Sequence, residues 1–238
     1  AAPQQREELH LFDLASDKLH ATGVVSTRVR NPVIGRDDWL YFEAALHGFR
    51  AIYRLPLRSA KASARHAPQR LTFDAEGSFE PSVRGDGRRV AFVSSRTKEA
   101  EIYATALTKD ALPDGGGHVQ RLTWSKGDDT APSWSPDGTS IAFISARKGP
   151  PRVYLMNADG GKPRVVAHDP DTVEERDVCW SPDGAHLAFV RKTKAGSAVV
   201  VIRTRDHKQV VTTQSGGYRD ETPAWSPDGQ YLVFVSIR

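Results

Sequence analysis

One cysteine, Cys179, stands in the 238 residues, so no intramolecular disulfide can form and a cysteine-rich metal site is excluded. It precedes Trp180 in an apolar stretch, where a small buried side chain is expected. No apolar run approaches the roughly 20 residues that cross a bilayer as a helix, so membrane insertion is not expected. Nor is there a block of like charge: 33 lysines and arginines interleave with 29 carboxylates, for a net charge of +4. A nucleic-acid partner would call for basic residues gathered on one face, and that class is set aside. The histidines, among them His47, His118, His168 and His207, lack the short spacing of metal ligands and read as scattered surface residues. Gly-x-Ser-x-Gly occurs nowhere, which removes the nucleophile elbow of serine hydrolases. The start, Ala1-Ala2-Pro3-Gln4-Gln5, has no charged segment followed by an apolar one; it fits a remnant left by signal-peptide cleavage or a boundary cut elsewhere.

What is present is repetition. Trp134-Ser135-Pro136-Asp137-Gly138 recurs as Trp180-Ser181-Pro182-Asp183-Gly184 and Trp225-Ser226-Pro227-Asp228-Gly229. Looser copies are Val83-Arg84-Gly85-Asp86-Gly87 and Ile34-Gly35-Arg36-Asp37-Asp38. The turn aspartates 86, 137, 183 and 228 are separated by 51, 46 and 45 residues, the period of a propeller blade. Proline presets the first corner, aspartate tolerates the second, and glycine supplies the left-handed residue that returns the chain to a strand. The motif is therefore a structural hairpin corner, with its tryptophan packing between blades. Third strands follow at Ile52–Leu55, Ile102–Thr105, Val153–Met156 and Val199–Ile202. Fourth strands follow at Gln69–Thr72, Gln120–Thr123, Arg164–Ala167 and Gln209–Thr212.

The final repeat supplies only two strands, whereas Leu9–Leu14 and Lys18–Thr22 align with third and fourth strands elsewhere. The expected fold is one all-β, five-bladed propeller of four-stranded antiparallel blades spanning residues 1–238. Its closing blade joins residues 8–22 to 224–236, and the others cover about 32–73, 81–124, 132–168 and 178–213.

Trp-Ser-Pro-Asp-Gly, an apolar strand, Ile-Tyr and then Arg-Leu-Thr together resemble the propeller repeat of TolB and related bacterial periplasmic proteins. Similar repeats occur in the propeller domains of prolyl-oligopeptidase-type peptidases. The resemblance runs from about Leu9 to Ser236. It implies a non-enzymatic, periplasmic or secreted binding module; the TolB propeller has six blades where five repeats are read here.

In a propeller the loops entering the inner strands gather at one mouth of the channel, the default binding region. From these loops the expected partner-binding residues are Arg28, Arg30, Glu80, Asp129, Arg176, Asp177, Arg219 and Glu221, with Asn31, Glu76, Asp128, Thr130, Glu174, Glu175 and Asp220 beside them. Arg96, Lys98, Arg147, Lys148 and Lys192 are placed farther out. Carboxylates edged by arginines point to a protein or peptide partner, bound by a monomer without a cofactor. A calcium or sodium ion in the channel is chemically reasonable. A rival reading is a carbohydrate-active enzyme using Glu80, Asp129, Asp177 and Glu221. Against it, Phe79 and Tyr218 are nearly the only aromatics on these loops to carry a sugar. A third reading is a scaffold, or a propeller portion of a larger peptidase-like protein.

Overall fold

The computed structural model of the protein describes residues 6–58, 67–107, 118–167, 169–213 and 219–237. The fold is all-β. A hairpin of β1 (Glu7–Asp13) and β2 (Lys18–Ser26) is followed by a four-stranded antiparallel sheet of β3 (Val29–Ile34), β4 (Trp39–Ala44), β5 (Ala51–Pro56) and β6 (Gln69–Arg70). The next sheet holds β7 (Ser78–Val83), β8 (Arg89–Thr97), β9 (Glu99–Ala106) and β10 (Val119–Arg121), in sequence order. A third is built of β11 (Asp129–Trp134), β12 (Ser140–Ser145), β13 (Arg152–Asn157) and β14 (Arg164–Val165). A fourth contains β15 (Thr172–Trp180), β16 (His186–Thr193), β17 (Gly196–Arg203) and β18 (Gln209–Thr212). Finally β19 (Arg219–Trp225) pairs antiparallel with β20 (Leu232–Ile237) and touches β17 through one parallel pair, Ser197 with Arg219. This meander of four-stranded blades is the propeller arrangement read from the repeat. By contacts the chain divides into two compact units, residues 1–98 with 103–120, and residues 99–102 with 121–238.

The corners form for the reason their residues imply. Ser135 Oγ donates to Asp137 Oδ1 at 2.6 Å, that oxygen accepts the Thr139 amide at 3.0 Å, and Ser135 Oγ accepts the Ser140 amide at 3.0 Å. The same three bonds recur around Ser181–Asp183 and Ser226–Asp228. Each corner glycine sits in the left-handed region, with φ of +69° at Gly138, +72° at Gly184 and +71° at Gly229. In the first blade Asp38 takes that conformation instead, at φ +61°. In the second blade Arg84 replaces the serine and holds Asp86 with two bonds of 2.8 and 2.7 Å. The Thr of Arg-Leu-Thr also has a local task. Thr72 and Thr123 Oγ1 accept the amides of Ile52 and Ile102, extending pairing beyond the short outer strands.

Second and third strands form the core. Phe42, Phe92, Phe143 and Phe189 are fully buried at equivalent places in four blades, each contributing roughly 1.5–3 kcal/mol by transfer from water. Three of them pair with the tyrosine of the next strand at 5.8–6.1 Å: Tyr53, Tyr103 and Tyr154. Buried carboxylates clamp arginines against this core. Asp129 holds Arg147 at 2.8 Å, with Arg147 lying over Tyr154, and Asp74 holds Arg96 at 2.9 Å, with Arg96 over Tyr103. Glu175 holds Arg191, which lies over Phe189.

In the second blade the clamp has shifted. Alignment on Leu71-Thr72 and Leu122-Thr123 places Ser78 where Asp129 stands, and Asp74 where Ser125 stands. The carboxylate has moved four residues along the chain, and Ser78 now donates to it. Ser94, like Ser145 in the third blade, contacts the same acid and arginine.

The last hairpin differs from the others. Leu187, Ala188, Phe189 and Val190 of β16 are wholly buried, but Val233, Phe234 and Val235 of β20 are 66%, 37% and 54% exposed.

Two predictions follow from the corners and the clamps. Asp74→Ser leaves Arg96 without its acid and lowers unfolding free energy by about 2–4 kcal/mol. Adding Ser78→Asp restores more than half of that loss in denaturant melts, because the carboxylate then occupies the third blade's position. The second concerns acid. Asp137, Asp183 and Asp228 are held below the ordinary carboxylate range chiefly by the serine hydroxyl, and Asp86 chiefly by Arg84. Their stabilisation is complete above the unfolded value and is lost as pH falls through the folded values, so melting temperature declines below about pH 4. Asp129 acts oppositely, because burial raises its carboxyl, with the Ser145 hydrogen bond opposing, and favours the protonated folded form. Ser→Ala at 135, 181 and 226 together should flatten the decline in melts taken across the acid range.

Candidate functional site

The residues expected on loops are mostly on strands. Arg30 lies on β3, Glu80 on β7, Asp129 on β11, Arg176 and Asp177 on β15, and Arg219 and Glu221 on β19; Arg28 alone sits in the bend before β3. They remain in the ladder because each first strand absorbs an extra residue by bulging. The register shifts between Arg30 and Val33, Phe79 and Ser82, Thr130 and Ser133, Arg176 and Cys179, and Glu221 and Ala224. One residue in every bulge is left-handed: Asn31 at φ +51°, Glu80 at +52°, Ala131 at +50°, Asp177 at +56° and Thr222 at +51°. Proline follows in four cases, Pro32, Pro81, Pro132 and Pro223, and Val178 in the fifth. A non-glycine residue held there costs on the order of 1 kcal/mol or more, and such strain persists only where surrounding contacts enforce it. An x-Pro step two or three residues after β3, β7, β11 and β19 begin was the sequence signal for four of these bulges, and the one in β15 carried none.

In the first unit the enforcing group is Glu43, which the sequence reading missed. Its side chain is 1% exposed and accepts from Arg50 Nε at 2.9 Å, with a second Arg50 nitrogen at 2.6 Å. It also accepts from Asn31 Nδ2 at 3.2 Å and the Glu80 amide at 3.4 Å, so one carboxylate ties two bulges together. Arg28 approaches it at 3.9 Å but stays half exposed. Arg30 turns the other way, pairing with Glu7 of β1 and donating to the Val29 carbonyl at 2.9 Å. Glu7 is held below the usual carboxylate range, first by the Val29 amide and then by Arg30. The signal for Glu43 was an acid in the run Trp39-Leu40-Tyr41-Phe42, where other blades place Val93, Ile144, Val190 and Val235. Glu7 carried no comparable signal. Arg50 lies 4.6 Å from the centre of the Phe79 ring, so this aromatic already carries a cation.

In the second unit three expected residues meet. Arg176 donates to Asp177 at 2.5 Å and, across to β19, to Glu221 at 2.9 Å; Glu174 lies 3.8 Å away and itself reaches Lys192 at 3.5 Å. Arg176, Asp177 and Glu221 are each about one-third exposed. Asp129 does not join them. It is fully buried and bound to Arg147. Arg219 is exposed and has no ion-pair partner among the described residues.

Cys179 donates to the Pro223 carbonyl at 3.3 Å, and burial pushes its thiol up to about 12, the marks of a packed rather than reactive cysteine. Trp180 Nε1 donates to the Ser133 carbonyl at 3.0 Å, joining neighbouring blades as the repeat implied. His47 packs near Tyr53, and burial followed by the Arg164 charge lowers the affinity of His207 for a proton. His168 and Tyr218 lie outside the described residues.

Comparison with known proteins matches residues 63–238 to the TolB beta propeller domain. The uncharacterized peptidase YuxL of Bacillus subtilis is 34% identical over a stretch covering 38% of this chain and 14% of its own. The Tol-Pal system protein TolB of Bordetella pertussis is 29% identical over 40% of this chain and 30% of its own. The crystal structure of TolB from Acinetobacter baumannii superposes with a TM-score of 0.73 at 22% identity, covering 94% of this chain and 53% of that one. The chain thus spans less than a third of either curated relative, and the likeness to the solved structure carries the fold. With three quarters of its length matched by the family model, the chain belongs to the TolB beta-propeller family.

Proposed function

We propose that the chain is a non-enzymatic binding propeller that engages a protein or peptide partner at the bulged ends of its first strands, without a cofactor. The observation that carries this reading is the Arg176 fork between Asp177 and Glu221 on adjacent first strands. Both acids and the arginine keep a third of their surface in water, so a partner can exchange with their mutual bonds. The left-handed bulges fix the backbone beneath them, which lowers the ordering cost of docking. Charges arranged in this way favour orientation and selectivity more than bulk affinity. The rival glycosidase geometry requires space between two carboxylates for a sugar. Here Arg176 occupies the space between Asp177 and Glu221, and Asp129 is sealed beneath Arg147. Relatives named for the Tol-Pal system support partner binding and a periplasmic or secreted setting. The identity with YuxL favours a second reading, in which the chain is the propeller portion of a larger peptidase-like protein and contributes no nucleophile itself.

The test is charge reversal. A variant carrying Arg30→Glu, Asp177→Lys and Glu221→Lys should lose at least tenfold in affinity for peptides that the unaltered chain selects from a random library. Its thermal melt should stay cooperative. Unchanged peptide selection by the folded variant overturns the reading, as does turnover of any oligosaccharide that Asp177→Asn abolishes.

Ring closure by a ladder between residues 8–22 and 224–236 is proposed on the same footing. If it forms, backbone amides of Leu232–Ile237 exchange slowly with deuterated water, and deleting residues 1–14 accelerates them selectively. Exchange at the rate of an open edge in the intact chain sinks this closure.

A further inference from the structure

Beyond that reading, we propose that a cationic cleft on the third blade is a second binding site, which takes an extended peptide segment carrying clustered carboxylates. The cleft has a volume of about 710 Å³ and is walled by Arg147, Lys148, Arg152, Tyr154 and Arg164, with Pro150 at its rim. Among the described residues, four cations line it and no carboxylate does.

The charge arises where this blade departs from its own repeat. Arg152 stands where the other blades place Ala51, Glu101 and Ala198. In the second blade Glu101 at that position neutralises Arg121 at 2.8 Å. The turn Lys148-Gly149-Pro150-Pro151 replaces Thr97-Lys98-Glu99-Ala100, which removes another acid. Arg164 pairs in register with Leu155, at the place held by Gln69 in the first blade.

Little in the fold cancels these charges. Among the described residues the Arg152 guanidinium donates only to backbone carbonyls, Thr172 at 2.7 Å and Pro151 at 3.0 Å, with Val173 at 3.5 Å, which fixes its orientation without an anion. Lys148 and Arg164 are exposed and have no ion pair among the described residues. Arg147 alone is neutralised, by Asp129. Glu175 reaches the amide of Val153 at 2.9 Å, but its other oxygen is committed to Arg191.

Spacing selects the ligand. Arg152 and the register partner of Arg164 are three residues apart on β13, about 10 Å at the rise of a strand. Residues three apart on a strand face opposite sides, so Arg152 and Arg164 present their charges at separate places along the cleft, which acidic side chains spread along an extended peptide can meet together. Planar guanidinium forks match carboxylates with two parallel hydrogen bonds.

Fluorescence anisotropy with a labelled hexaglutamate peptide tests the proposal. The unaltered chain should bind it with an affinity that falls steeply as salt rises. The double variant Lys148→Ala/Arg164→Ala, at two exposed positions, should bind at least tenfold more weakly with an unchanged melt. Arg152→Gln should weaken binding comparably. The Arg30/Asp177/Glu221 reversal should leave hexaglutamate affinity intact, which separates this site from the first-strand site. Equal affinity of the double variant and the unaltered chain overturns the proposal. So does displacement of the peptide by inorganic phosphate at concentrations matching the peptide's own, because the site would then be one for single anions.

Discussion

The interaction on which this propeller depends is the buried carboxylate that grips an arginine lying on aromatic rings. Asp129 with Arg147, Asp74 with Arg96, and Glu175 with Arg191 each fasten the start of a first strand, or the segment leading to it, to the end of the second strand. An unpaired charge in such a place costs several kcal/mol, so both partners must be present together. Burial alone would let the strands slide along one another. The ion pair, with its tyrosine or phenylalanine and in two of the three clamps a serine, specifies one register and one blade geometry. Glu43 performs related work in the first blade, where it gathers Arg50, Asn31 and the Glu80 amide.

This pairing also decides what remains for a partner to read. Sequence alone presents a rim of carboxylates edged with cations. The fold withdraws Asp129 into the interior and assigns it an arginine, while Arg176, Asp177 and Glu221 keep about a third of their surface in water. The left-handed residues beside them hold the backbone in a shape that ordinary strand pairing would not choose. A surface fixed by its supports in this manner suits recognition, because little conformational freedom is lost when something docks.

The corners were legible because their chemistry is local: the five-residue motif supplies the serine and aspartate oxygens and the left-handed glycine, and the amides those oxygens hold lie within two residues beyond it. Second and third strands were legible from their apolar runs, and the outer strands were found but proved shorter, as with Arg164–Val165. Charge partners were not legible, since they come from distant parts of the chain. Glu7 reaches Arg30 from another hairpin, and Arg176 reaches Glu221 across 45 residues. The shift of an acid from the position of Asp129 to that of Asp74 hides one clamp from any reading that aligns residues by column. Strand status misled for a related reason: charged residues such as Glu174–Asp177 look like loop, yet bulging keeps them in the ladder.

The bare face of β20 has a consequence for handling the protein. Val233, Phe234, Val235 and Ile237 form an uncovered apolar ribbon on a six-residue strand with few charges of its own. Wherever the proposed ladder with residues 8–22 is not formed, such a ribbon is a template on which another molecule's strand can be laid, and it makes self-association during concentration or refolding the natural failure mode. A single lysine on that strand, in place of Val233 or Val235, is the kind of gatekeeper that keeps such chains dispersed.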